Sequence, residues 1–175
     1  MSFSNLSVAI ENLPTTQLVN FQPIQPSYLK VLRITWSIIF GVLFVALIAL
    51  FVFVQELQSV QWIFILSFSY LVLAISTVTI GTASFKQKAF AIREKDILYK
   101  TGWIFSSMHI IPFNRIQHCV LNIGPIERKY GLASIGIYTA ASDVYDVFIR
   151  GLSKEQAEQL RDFILQQIQK EASND

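Results

Sequence analysis

Two groups of residues in this 175-residue chain carry side chains fit for chemistry. The first is the adjacent pair His118-Cys119, a base beside a thiol. A nucleophilic dyad needs the imidazole within hydrogen-bond reach of the sulfur. Residues 116–123 alternate as a strand does, and neighbouring strand side chains point to opposite faces, so the pair diverges. Cys119 is expected to be buried with Leu121 and Ile123, leaving His118 on the sheet surface. The second group is basic. Arg128 and Lys129, inside the segment 124–131, form a candidate ligand or partner contact together with Arg115 and Arg150. Guanidinium groups bind phosphate and carboxylate in a two-pronged geometry, which makes an anion the natural ligand. The competing local use has Glu127 paired with one of these bases, or Arg128 bonded to loop carbonyls. No Gly-rich phosphate loop and no paired catalytic carboxylates are present, and one Cys with two His cannot frame a metal site. The expectation is therefore no enzyme and no cofactor.

Composition says where these residues work. The chain is 53% hydrophobic with mean hydropathy +0.46, too apolar for an ordinary soluble domain. Only Glu11, Lys30, Arg33 and Glu56 are charged before residue 86. From Lys86 onward there are 12 basic and 10 acidic residues, a near balance that offers no electrostatic footprint for nucleic acid. The single cysteine excludes an internal disulfide and fits a reducing compartment.

The uncharged run 34–55 has 22 residues, 15 of them Leu, Ile, Val or Phe. At their usual insertion values these 15 contribute about 5 to 9 kcal/mol toward the bilayer. A second uncharged run, 57–85, is densest between Trp62 and Ile80 and carries Ser67, Ser69, Ser76, Thr77 and Thr79. Its β-branched stretch still reads as helix, because an open strand edge cannot sit in hydrocarbon. Gly41, Ala46 and Ala49 are candidate points of close approach between the two helices. Lys30 and Arg33 precede the first helix and Lys86 and Lys88 follow the second, whereas the connection carries only Glu56. Basic residues stay inside, so both termini are expected in the cytoplasm of a cell-membrane protein that spans twice. The expected division is a cytoplasmic segment 1–32, transmembrane helices 33–55 and 62–83, an external loop 56–61, and a cytoplasmic domain 84–172. The prolines at 14, 23 and 26 argue against a long helix in residues 1–30.

Beyond the hairpin the apolar period switches to two. Strands are expected at 89–93, 97–103, 107–111, 116–123, 132–139 and 144–150, with turns at 94–96, 112–114, 124–125 and 141–143. Gly151 is expected to stop the last one. Ser153 then caps a helix from Lys154, with Gln156 completing a capping box and Leu152 stapling onto Ala157. Ala157, Leu160, Phe163, Ile164 and Ile168 share one face, which should lie on the sheet. Six strands and one amphipathic helix suit a mainly-β, half-open barrel capped by its C-terminal helix.

The runs IIPFNRIQHCVLNIGPIERKYGLASIGIYTA at 110–140 and IRGLSKEQAEQLRDFI from Ile149 resemble the bacterial pleckstrin-homology-like (PH-like) domain of a two-helix membrane-anchored family, formerly a domain of unknown function. Three patterns carry the resemblance in order: Pro-x-x-Arg-Ile-Gln, Gly-Pro-x-x-Arg-x-x-Gly-Leu-Ala, and a Gly-Leu-x-x-x-x-Ala helix start. It covers about residues 28–170 and implies seven strands with a capping helix. One strand is thus to be found: short, hidden, or lost among residues 103–113. The resemblance also implies a membrane-protein partner bearing similar domains, or self-association, as the purpose of the domain. Membrane lipids are the partners of the hairpin, and binding of anionic lipid headgroups is the alternative role for the domain. Lys86, Lys88, Arg93 and Lys95 are similar to the basic hairpin with which some pleckstrin-homology domains hold phosphoinositides, but Glu94 and Asp96 interrupt that charge.

Overall fold

The computed structural model describes residues 19–139 and 146–172, the last two of them by backbone alone. The expectations for residues 1–18 and for the turn 141–143 lie outside the described residues. All but the last two residues of the first apolar run lie in helix α1, Tyr28–Phe53, and all but the first three of the second lie in α2, Val60–Gln87, with a 3-10 turn at Gln55–Gln58 between them. Lacking a polar stripe, the helices leave large apolar side chains such as Val42, Val45, Phe64 and Phe68 uncovered, as lipid-facing helices do. Their hydroxyls turn inward on the helix itself: Thr77, Thr79 and Thr82 each donate to the carbonyl four residues earlier at 2.8 Å.

The two helices meet through aromatic residues. The Tyr70 hydroxyl donates to the Phe40 carbonyl at 2.9 Å, and its ring lies 5.9 Å from those of Phe40 and Phe44. Trp36 lies flat against Gly81, where an added Cβ would fall inside the indole ring's van der Waals envelope. Gly41 does not serve as a close-approach site, since a Cβ there would meet nothing within 4 Å. The small residue is needed opposite the largest side chain, and that side chain is Trp36.

At 1.5 Å per residue α1 is about 39 Å long and α2 about 42 Å, against a hydrocarbon layer of about 30 Å. The surplus turns enter the β domain. Tyr28 and Val31 of α1 and Phe85 of α2 are buried in its core.

Seven strands build that domain among the described residues. The strands β1 (Gln22–Pro23), β2 (Ala89–Ile92), β3 (Asp96–Thr101) and β4 (Ser107–Pro112) form one antiparallel sheet in that order. A second sheet holds β5 (Ile116–Asn122), β6 (Leu132–Thr139) and β7 (Val147–Ser153). The missing strand is β1, which precedes the helical hairpin and pairs Gln22 with Phe90 and Pro23 with Ala89. Its edge position tolerates the proline, whose nitrogen has no hydrogen to donate. Residues 103–113 hold a turn and β4, not an additional strand.

Other boundaries differ from expectation as well, with β3 ending at Thr101 and not at 103. The segment after Gly124 is not an open loop but one helical turn, α3 (Pro125–Lys129), with proline at its favoured first position. Gly151 does not end β7, which continues to Ser153. It adopts φ +75° inside the strand, and a Cβ there would lie 2.6 Å from Tyr28 Cγ and from Ile24 Cγ2. The glycine therefore kinks β7 and admits the N-terminal segment, whose Gln25 amide donates to the Gly151 carbonyl at 3.0 Å.

Helix α4, Lys154–Ala172, starts with the expected capping box. The Gln156 amide donates to Ser153 Oγ and the Ser153 amide to Gln156 Oε1, both at 3.1 Å. Ala157, Leu160 and Ile164 are buried against the second sheet, and Phe163 meets Phe113 edge-on at 5.6 Å. The two sheets and α4 enclose one core in a PH-like arrangement without closing into a continuous barrel.

Candidate functional site

His118 and Cys119 stand on opposite faces of β5. His118 is paired across the sheet with Tyr138 and stacks on its ring at 4.3 Å, exposed to solvent. Cys119 pairs with the buried Ile137 and is itself only partly buried, which still pushes its thiol above the ordinary cysteine range. A thiol so placed is a poor nucleophile, because the thiolate is the reactive form. Among the described residues no group of three His, Cys, Asp or Glu side chains is arranged to hold a metal.

The four basic candidates are not gathered at one point. Arg115 closes the 3-10 turn before β5, whereas α3 follows the far end of that strand. Seven residues of strand, about 23 Å at 3.3 Å each, separate them. Arg128 and Lys129 are exposed on α3, which packs beside the first turns of α1. Nearby, the Lys30 ammonium lies 6.0 Å from the centre of the Tyr130 ring.

Arg150 belongs to a cleft of about 360 Å³ between α1, α3 and β7, lined also by Tyr28, Thr35, Asn122, Glu127 and Phe148. Its guanidinium sits 4.9 Å from the Phe148 ring centre. The same charge reaches Lys88, whose ammonium is held below the usual lysine range, first by burial and then by Arg150. Glu127 is already engaged: it accepts from the Ser134 hydroxyl at 2.8 Å and the Gly124 amide at 2.9 Å. It therefore ties α3 to the buried β6 instead of pairing with Arg128 or Lys129, as the sequence reading allowed. This use of Glu127 had a signal in the sequence, since it stands three residues after Gly124 in a capping position.

In the first hairpin Arg93 grips Asp96 through two hydrogen bonds of 2.6 and 2.5 Å. The carboxylate neutralises Arg93, one of the hairpin's cations, which weakens the hairpin as a phosphoinositide grip.

A separate groove, about 510 Å³, runs along β4 and is lined by Met108, His109, Ile110, Arg115, Thr139 and Asp146. Sequence reasoning placed Arg115 among the contact candidates but had no signal for this groove, which needs the β6–β7 hairpin brought beside β4. Asp146 is fixed there by accepting from the Thr139 amide at 3.0 Å and its hydroxyl at 2.5 Å.

Comparison with known proteins agrees with this architecture. The family of bacterial PH domains matches residues 31–168. The UPF0699 transmembrane protein YdbS of Bacillus subtilis (strain 168) is 34% identical over 143 residues, which cover 81% of this chain and 88% of that protein. No solved structure matches the chain. Two apolar helices of spanning length, two antiparallel sheets with a terminal helix, and a family match over most of the sequence lead to one conclusion: the chain is a membrane protein that belongs to the bacterial PH domain family.

Proposed function

We propose that this chain is a non-enzymatic cell-membrane protein that spans twice with both termini in the cytoplasm and uses its PH-like domain to dock a protein partner. The observation that carries the reading is the outer edge of β4, which is unpaired among the described residues. That strand pairs only with β3 among the described residues, exposes Met108 and Ile110, and borders the groove that holds Arg115. An unpaired edge beside a groove accepts an extended segment as an added strand, with main-chain hydrogen bonds for affinity and side-chain pockets for choice. The partner is another membrane protein with similar domains or a second copy of this chain. The partial burial of Cys119, its divergence from His118 and the engagement of Glu127 all support a role without catalysis. The test is a photo-crosslinking residue at His109 in native membranes, with one at Glu155 on the opposite α4 as reference. Recovery of a specific membrane protein, or of the chain itself, from position 109 alone supports the reading. Identical products from both positions refute it.

A second reading, attraction of anionic lipid headgroups, is favoured by Arg128 and Lys129 lying exposed on α3 next to α1. Each base near an anionic surface contributes about 1 kcal/mol. The full chain is the form to test, since the core includes residues from α1. Arg128→Ala with Lys129→Ala should reduce phosphatidylglycerol retained on the purified protein and flatten the salt dependence of that retention. Unchanged retention removes this reading.

A further inference from the structure

The β3–β4 turn, residues 102–106, presents the most exposed apolar cluster of the β domain. Trp103 is 52% exposed, Ile104 65% and Phe105 87%. Three consecutive large apolar residues on a turn are costly in water, where turns normally carry polar residues. The turn is also held in shape: Gly102 has φ +96°, and a Cβ there would collide with the Phe105 carbonyl oxygen. Its position names its surroundings. Trp103 lines a crevice of about 510 Å³ with Leu29 and Arg33 of α1 and Thr82, Lys86 and Gln87 of α2. Those residues occupy the ends of the helices where the surplus over about 30 Å of hydrocarbon leaves the bilayer. The turn is therefore level with the headgroup boundary, flanked by two cations, Arg33 and Lys86.

We propose that residues 103–105 are a third membrane contact, a wedge inserted into the same leaflet that receives the cytoplasmic ends of α1 and α2, with Arg33 and Lys86 holding the phosphate of an adjoining phospholipid. Tryptophan favours this boundary and basic side chains reach out of it toward phosphate, while Ile104 and Phe105 lie among the upper acyl carbons. The wedge and the helix ends fix the domain at two points, which sets its tilt against the bilayer. The inference rests on α1 and α2 spanning the membrane, and the experiment separates the two.

The full chain is reconstituted in phosphatidylcholine–phosphatidylglycerol vesicles with brominated acyl chains. One variant keeps Trp103 alone (Trp36→Phe, Trp62→Phe), and a second keeps Trp62 alone (Trp36→Phe, Trp103→Phe). The wedge predicts Trp103 emission quenched by the bromolipids and shielded from aqueous iodide. Adding Ile104→Asp and Phe105→Asp, both at exposed positions, should at least halve the bromolipid quenching of Trp103. Iodide access to Trp103 while Trp62 remains quenched by bromolipid overturns the wedge and leaves the spanning helices intact. Loss of bromolipid quenching at both tryptophans overturns the spanning helices and the wedge with them. Unchanged Trp103 quenching in the Asp variant also overturns the wedge, because the crevice alone would then shelter the indole. Shielding of Trp103 from iodide without bromolipid quenching overturns it in favour of contact between two copies of the chain.

Discussion

Replacing Gly151 with alanine tests whether the N-terminal segment is part of the β domain. Gly131 supplies the control. Both glycines have left-handed φ, +75° and +63°, but a Cβ at Gly131 meets nothing within 4 Å, while one at Gly151 falls 2.6 Å from Tyr28 Cγ and 2.8 Å from Tyr28 Cβ. The left-handed conformation costs either alanine about 1 to 2 kcal/mol. Overpacking adds about 1 to 3 kcal/mol at Gly151 alone, because Tyr28 and Ile24 are buried and cannot swing away. Gly151→Ala should thus lose about 2 to 5 kcal/mol and Gly131→Ala about 1 to 2. The measurement is equilibrium unfolding of the full chain in mild detergent, followed by near-ultraviolet circular dichroism of the β domain. Equal losses in the two variants would refute the packing of Ile24 and Tyr28 on β7.

Other outcomes follow from the same contacts. A fragment comprising residues 84–175 lacks β1, Ile24, Tyr28 and Val31, so it should bind a hydrophobic dye and show a broad thermal transition; a sharp two-state melt would contradict the shared core. Glu127→Ala leaves the Ser134 hydroxyl and the Gly124 amide without their acceptor and should lower stability by about 1 to 3 kcal/mol, with Glu127→Gln losing less because one acceptor oxygen remains. Because burial raises the Cys119 thiol, its thiolate forms at higher pH than that of a free cysteine. Alkylation of the folded chain by iodoacetamide should accordingly be slow near pH 8, with a midpoint shifted upward, and should accelerate on unfolding; an unshifted profile would contradict the burial. Gly81→Leu forces Trp36 off α2 and should weaken helix–helix contact, read as a lower melting temperature than that of Gly41→Leu.

Much of the fold was legible because single side-chain periods carry it. The charge-free runs announced α1 and α2, and the spacing from Ala157 to Ile168 announced the buried face of α4. Its capping box was visible as Ser153 and Gln156. What escaped depends on contacts between distant parts of the chain. β1 is two residues long, includes a proline, and finds its partner only after the whole helical hairpin has intervened. Gly151 looked like a stop because glycine often is one; its actual reason is the close approach of Tyr28. Arg115, Arg128 and Lys129 lie close in sequence, yet the length of β5 holds Arg115 apart from the other two, a separation that composition cannot express. For Glu127 the bond to the Gly124 amide was readable from their three-residue spacing, whereas the hydroxyl of Ser134 on β6 was not.

The bond from Gln25 to Gly151 also has a temporal side. Translation delivers β1 and Gln25 first, then α1 and α2, and only much later the glycine whose carbonyl accepts from Gln25. At about 5 to 20 residues per second, the 126 residues between positions 25 and 151 take about 6 to 25 s to make. Over that interval β1 gains β2 as its mate once residue 92 is made, but the Gln25 amide still lacks its acceptor on β7. A nascent chain whose hairpin missed the lipid would present its N-terminal segment in the wrong place or not at all, so quality-control proteases could recognise failed insertion by the unfinished β domain.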